Sequence, residues 1–293
     1  MIPHPNGRRV PLPLGVGWGM AYEVLEAYCI PKKSNETTQS GDDVLHLTPH
    51  FAAVIDGAGS WSGRLDGLTS GRFAALAVAK ALESLAPTAT LPEAAAQLGQ
   101  ALAQALAGAK LEGELLRPPT CVAAIYSVAR REIWLVGDCQ ALVLGRHHQT
   151  NLPTDERATA FRQALLRALL LAGRTTADLQ SADPSWHLLR PLFEAAPAYQ
   201  NHPTDPLGYG AFDGRPIPEQ HLQVIPVGQD VQEIVLASDG YPVLCPTLEA
   251  SEAALWALAE RDPLMIGDYA GCRAFPLSGG SFDDRTYLRL RLT

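Results

Sequence analysis

At 293 residues the chain has room for about two domains of ~150 residues or one large one. Its 47% apolar and 18% charged residues are those of a folded globular protein, which excludes a disordered chain, a collagen and a disulfide-stapled mini-protein. Lys and Arg number 23 against 31 Asp and Glu, a net charge of −8 with no basic run longer than two residues, so nucleic acid is not an expected partner.

Apolar stretches are interrupted well before the ~20 residues a membrane span needs, so no membrane association is expected. The opening MIPHPNGRRVPLPLG has two adjacent arginines but no apolar run behind them, and is not expected to act as a signal peptide. Cys29, Cys121, Cys139, Cys245 and Cys272 form no CxxC pair and are odd in number; they read as reduced thiols of a cytoplasmic protein.

In chain order, residues 1–20 read as an extended lead-in rich in Pro and Gly. A strand follows around Tyr22–Ile30, then the polar loop PKKSNETTQSGDD, then FAAVID, a buried strand that empties into GAGSWSG. Helical spacing marks TSGRFAALAVAKALESL and PEAAAQLGQALAQALAGAK, the second with Pro92 in its first turn. PTCVAAIYSVA, REIWLVGD and ALVLGR are strands, with Arg130–Arg131 in the first turn between them. ERATAFRQALLRALLLAG is a helix closed by Gly173.

Residues 174–232 carry eight prolines and read as a largely irregular insertion or flap. QEIVLASDG restores a buried strand, and TLEASEAALWALAER is a helix capped by Thr247 with Glu249 in its first turn. SFDDRTYLRLRLT ends the chain as a half-exposed strand. Strands and helices come in blocks, which favours an α+β fold of antiparallel sheets over a doubly wound parallel one. Nothing in the sequence divides the chain, so residues 1–293 are expected to form one domain.

Asp56 in VIDGAG, Asp138 in LVGDCQ and Asp239 in LASDGY each close an apolar strand beside a glycine, while Asp283 in SFDDRT precedes one. Carboxylates at neighbouring strand ends can meet at one sheet edge, where their charges would repel. Hard divalent cations such as Mg²⁺ and Mn²⁺ prefer such oxygen ligands and remove the repulsion. Asp-Gly is also a common turn dipeptide, so the same residues are compatible with plain structural turns.

The order AVIDGAGS, helix, PPTCVAAIY, GDCQALVL, IVLASDGY, SFDDRTYLRL resembles that of the metal-dependent protein phosphatases of type 2C, a likeness running from about residue 30 to 292. It implies an α+β fold with a central sandwich of two antiparallel sheets flanked by helices, and a centre of two Mn²⁺ or Mg²⁺ ions. By the same likeness Asp56 bridges the metals, Gly57 offers its carbonyl, and Asp239 and Asp283 complete the second metal's carboxylates. Asp138 corresponds to a residue that, in bacterial relatives, helps hold a third, weaker ion. KKSNET aligns with an RxxNED-like element, placing Glu36 on metal-bound water and Lys32 at the substrate phosphate.

There are departures from the family pattern. Lys32 replaces an Arg and lacks its two-pronged geometry. Thr37 replaces an acid. Ala58 stands where eukaryotic members have a His, which points to the bacterial branch. Asp284 replaces the usual Asn, so either Asp283 or Asp284 is the ligand, with the spacing to Thr286 favouring Asp283.

The resemblance implies hydrolysis of phosphoserine and phosphothreonine in a protein substrate, with a Ser/Thr kinase as the expected partner. In general, two close metals supply hydroxide near neutral pH and neutralise phosphoryl charge. Retention of Asp56, Asp239 and Asp283 argues against the alternative of a weakened pseudophosphatase serving as a binding module, which Lys32 and Thr37 favour. An aspartyl-phosphate enzyme would need an acid at Ala58, and no CxxxxxR loop offers a thiol nucleophile. His147 and His148 read as surface turn residues, and Trp61 and Arg64 as candidates for the site rim.

Overall fold

The computed structural model describes residues 21–32, 41–59 and 62–293. The lead-in expected over residues 1–20, and Glu36, Thr37 and Trp61, lie outside the described residues. The elements begin with β1 (Tyr22–Ile30), β2 (Val44–Leu47), β3 (Phe51–Ala58) and β4 (Arg64–Leu65), followed by α1 (Ser70–Leu82) and α2 (Leu91–Gly108). Next come β5 (Leu111–Glu112), β6 (Thr120–Ser127), β7 (Glu132–Val136), β8 (Gln140–Val143) and β9 (Arg146–Gln149). The rest comprises α3 (Pro153–Leu171), α4 (Thr176–Ser181), α5 (Ser185–Ala195), β10 (Leu222–Pro226), β11 (Glu233–Ala237), α6 (Leu248–Arg261) and β12 (Arg285–Leu292).

Two five-stranded sheets result, ordered β1-β12-β11-β8-β9 and β10-β7-β6-β3-β2, with every pairing antiparallel. The α+β sandwich expected from the sequence is therefore the observed architecture. Side chains alternate across a strand, and β3 uses both faces. Its Phe51, Ala53 and Ile55 pack into a core shared with Val78 and Leu82 of α1 and Leu98 and Leu102 of α2. Ala52 and Val54 point the other way, into the core between the sheets with Leu236, Leu288 and Leu290. This double burial is why FAAVID is continuously apolar.

β11 behaves likewise. Ile234 and Leu236 face the second sheet, while Val235 and Ala237 join Tyr241, Tyr287 and the start of α6 on the outside. On β12, Leu288, Leu290 and Leu292 point inward, and Arg289 and Arg291 form outward ion pairs with Glu26, Glu233 and Glu23. The alternating apolar and basic tail follows from that arrangement.

The Thr247 cap, the Arg130–Arg131 turn and the Gly173 helix end fall where expected, and Thr69 supplies a cap that was not anticipated. Thr69 accepts the Arg72 N–H to cap α1, and Thr247 accepts that of Ala250 to cap α6, contacts each worth about 1 kcal/mol. Arg131 turns the β6–β7 hairpin at φ +48°, and Gly173 ends α3 at φ +93°. The stretch 174–232 requires a correction: it contains α4, α5 and the sheet-edge strand β10 rather than a largely irregular path. Pro184 precedes α5, and Pro191 sits inside it, a position that costs helix stability. Burial of Leu189 and stacking of Trp186 on Phe193 offset that cost, and neither contact is visible in a proline count. His147 and His148 likewise lie on β9, not in a turn.

Candidate active site

β3 and β11 end, and β8 and β12 begin, around one cavity of about 470 Å³. Asp56 and Gly57 reach it from β3, Asp138 from the β7–β8 turn, Asp239 from the end of β11, and Asp283 from just before β12. All four carboxylates singled out in the sequence therefore line the same space. Gly57 is dictated by close approach: a Cβ there would come within 2.5 Å of the Gly71 carbonyl oxygen at the start of α1.

Burial, then the neighbouring carboxylates, push Asp56 and Asp138 well above the usual range. Asp239 is raised to about 6 by burial and by the charge of Asp283. The charge of Asp239 is among those that raise Asp56. Asp283 differs. Burial would raise it, but the Arg273 guanidinium and the Lys32 ammonium outweigh burial and hold it below the ordinary range. Lys32 Nζ lies 2.9 Å from Asp283 Oδ1, and an Arg273 terminal nitrogen 3.0 Å from Oδ2. Lys32, expected at the substrate phosphate, thus spends its charge on Asp283.

Asp284 is 6% exposed and does not line the cavity. Its two oxygens accept the backbone N–H groups of Lys32 and Asp42, each at 2.7 Å. It serves as a backbone clamp, and Asp283 is the residue that faces the site. Arg64 bonds the Gly67 carbonyl at the surface.

Among the described residues, no three His, Cys, Asp or Glu side chains form a ready ligand set for a metal. The donor chemistry nevertheless fits a hard divalent cation: the donors are carboxylate oxygens, buried together and raising one another's pKa, a condition that a bound cation reverses.

Four cavity residues escaped sequence reasoning. Asp42 lies two residues before β2 rather than at the close of a strand; its Oδ1 accepts the Thr69 hydroxyl at 2.5 Å. Asp155 lies in the first turn of α3, and Arg117 and Arg273 sit in segments without a motif. Beside Asp42, Asp43 is buried, accepts hydroxyls from Ser238 (2.7 Å) and Thr286 (2.9 Å), and leaves Oδ1 without a hydrogen-bond partner among the described residues. The GDD triplet just before β2 was the available signal for this pair.

These shifts set a pH dependence. Asp239 at about 6 and Asp43, raised to about 8 by burial and by Asp284, both titrate above their unfolded value of 3.8. At these two sites the folded state binds more protons than the unfolded one, so their contribution to stability is complete below about pH 4 and is lost as pH rises toward 8. Urea midpoints of EDTA-treated protein should fall across this window, and Asp43→Asn should flatten the slope. A midpoint that rises instead would contradict the assigned protonation.

The fold and site define a two-sheet α+β sandwich with a carboxylate-lined cavity at one edge. No family model and no curated protein matches the chain. Among solved structures it is similar to the catalytic domain of the serine/threonine protein phosphatase PstP in complex with two manganese ions, at 19% identity and a TM-score of 0.47, covering 93% of this chain and 98% of that one. It is similar also to the Mycobacterium tuberculosis phosphatase PstP/Ppp, at 17% identity and a TM-score of 0.45 over 92% and 98% of the two chains. Stp1 from Staphylococcus aureus aligns at 15% identity and 0.43 over 95% and 98%. At these values the likenesses carry no weight for activity.

Proposed function

We propose that the protein is a metal-dependent phosphatase that hydrolyses phosphoserine and phosphothreonine in protein substrates. The observation that carries this reading is the meeting of Asp56, Asp138, Asp239 and Asp283 in one cavity that also holds the cations Lys32, Arg117 and Arg273. Asp56, Asp239, Asp138 and the Gly57 carbonyl are the groups that would hold two Mn²⁺ or Mg²⁺ ions and a weaker third, with Asp283 released from its cations and Glu36 acting through water. Such ions supply nucleophilic hydroxide near neutral pH and neutralise phosphoryl charge.

The chain's own residues supply the rest. Arg273, with only one oxygen of Asp283 on its guanidinium, offers the planar fork suited to a phosphate that Lys32 lacks. A thiol nucleophile is disfavoured: burial pushes Cys139 far up and Cys272 to about 12, so neither is a thiolate at neutral pH. The substrate is a phosphorylated protein, its supplier a Ser/Thr kinase, and the compartment the cytoplasm. Among the described residues no helix is long and apolar enough to cross a membrane.

A second reading, a binding module of the same fold, is favoured by one observation: both oxygens of Asp283 are engaged by Lys32 and Arg273. Hydrolysis of p-nitrophenyl phosphate and of a phosphothreonine peptide separates the two. Turnover should require Mn²⁺ or Mg²⁺ and vanish in EDTA. Undiminished turnover in EDTA would overturn the metal mechanism, and Mn²⁺ binding without any turnover would favour the module.

A further inference from the structure

Gln140 opens β8 and is 1% exposed. Its amide nitrogen donates to two backbone carbonyls, Ser238 O at 3.0 Å and Tyr241 O at 2.9 Å. These carbonyls bracket Asp239 and Gly240, so one side chain grips both ends of the turn that presents Asp239 to the cavity. An atom facing two carbonyl oxygens must be the NH₂ group, because an amide oxygen has no hydrogen to give. Both amide hydrogens are then committed, and only the amide oxygen remains for a further partner.

That partner is His147. Its Nε2 lies 2.8 Å from Gln140 Oε1. Since the amide oxygen can only accept, the imidazole must carry its hydrogen on Nε2, whatever the state of Nδ1. His147 lies on β9, the edge strand paired with β8, and reaches back along the hairpin to the first residue of β8.

The turn has little slack. A Cβ on Gly240 would come within 2.0 Å of the Asp284 carbonyl oxygen, so the turn packs directly against the segment that carries Asp283. On its far side Ser238 Oγ donates to Asp43 and accepts the Thr286 N–H at 2.9 Å. A displacement of residues 238–241 therefore moves Asp239 relative to both Asp56 and Asp283.

We propose that His147 is a positioning residue, acting through the Gln140 amide to fix the turn that presents Asp239; its consequence for metal binding rests on the function proposed above. His147→Leu removes the donor and keeps an apolar side chain, whereas His147→Gln restores an N–H at similar reach. In metal-free protein, amide hydrogen exchange of Ser238 and Thr286, whose N–H groups bond across the base of the turn, should accelerate about tenfold in His147→Leu, the effect of one lost hydrogen bond. It should return close to wild type in His147→Gln. The Mn²⁺ dissociation constant, measured by calorimetry without substrate, should weaken about tenfold or more in His147→Leu, as is typical when the support of a ligand is lost, and recover in His147→Gln.

Equal exchange in the three proteins overturns the proposal. So does acceleration spread over the whole chain, or failure of His147→Gln to restore the turn, since either assigns the effect to packing. If exchange responds as expected while no variant nor wild type binds Mn²⁺, the positioning role holds and the metal reading falls.

Discussion

Asp239→Asn is expected to lower Mn²⁺-dependent hydrolysis by orders of magnitude while raising the thermal midpoint of the EDTA-treated protein. The two effects share one cause. Asp239 is a buried carboxyl raised to about 6 by desolvation and by the charge of Asp283. An amide of the same shape removes the desolvated charge, so the metal-free protein loses repulsion without losing packing. The same change withdraws an anionic oxygen from the group that would hold a divalent cation. Calorimetry in EDTA and in excess Mn²⁺ tests both halves: the wild type should gain more from the cation than the variant. A lower midpoint in EDTA would mean that Asp239 contributes to folding, against the repulsion account. Unchanged turnover would remove Asp239 from the reaction.

Arg162→Met is expected to cost about 3–5 kcal/mol of stability, the range for breaking a buried ion pair by removing one partner. Arg162 lies on α3 and is 0% exposed. Its Nε meets Asp183 at 2.8 Å, and one terminal nitrogen donates to the Leu264 carbonyl at 2.7 Å and the Gly271 carbonyl at 3.0 Å. The guanidinium thereby ties α3 to the start of α5 and to the loop carrying Met265, Tyr269 and Arg273 to the cavity. Met fills most of the volume but leaves Asp183 without its cation and the two carbonyls without this donor. Arg162→Lys should recover only part of the loss, because an ammonium cannot span the same fork. Urea denaturation of the three proteins measures this. A loss below about 1 kcal/mol for Arg162→Met would mean that water replaces the guanidinium, as at a surface pair.

The four strand-end carboxylates were legible because the signals that place them are local. A strand buried on both faces is continuously apolar, and the Asp and Gly that end it interrupt the run. The same locality made the caps Thr247 and Gly173 readable. Asp283 and Asp284 could not be separated on local grounds, since both precede β12 and neighbouring side chains in extended chain point to opposite sides. Only packing shows that Asp284 clamps the Lys32 and Asp42 backbones while Asp283 meets Arg273. Arg273, Arg117 and Asp155 carried no legible motif because each reaches the cavity from a loop or a helix end whose position is set by distant contacts, such as those of Arg162.

By itself, then, the sequence determined the long elements outside 174–232, the α+β class and the carboxylates beside its strand ends, for these depend on side-chain periodicity and turn chemistry within a few residues. The tertiary structure alone decided which strand ends share an edge. Strand order β1-β12-β11-β8-β9 brings residues more than two hundred positions apart into register, and no local pattern encodes such pairing. It also decided that Lys32 neutralises Asp283, that helices persist among the prolines of 174–232, and that His147 reaches the support of Asp239. In each case the deciding energy is a contact between distant segments, where burial and hydrogen bonding outweigh local propensity.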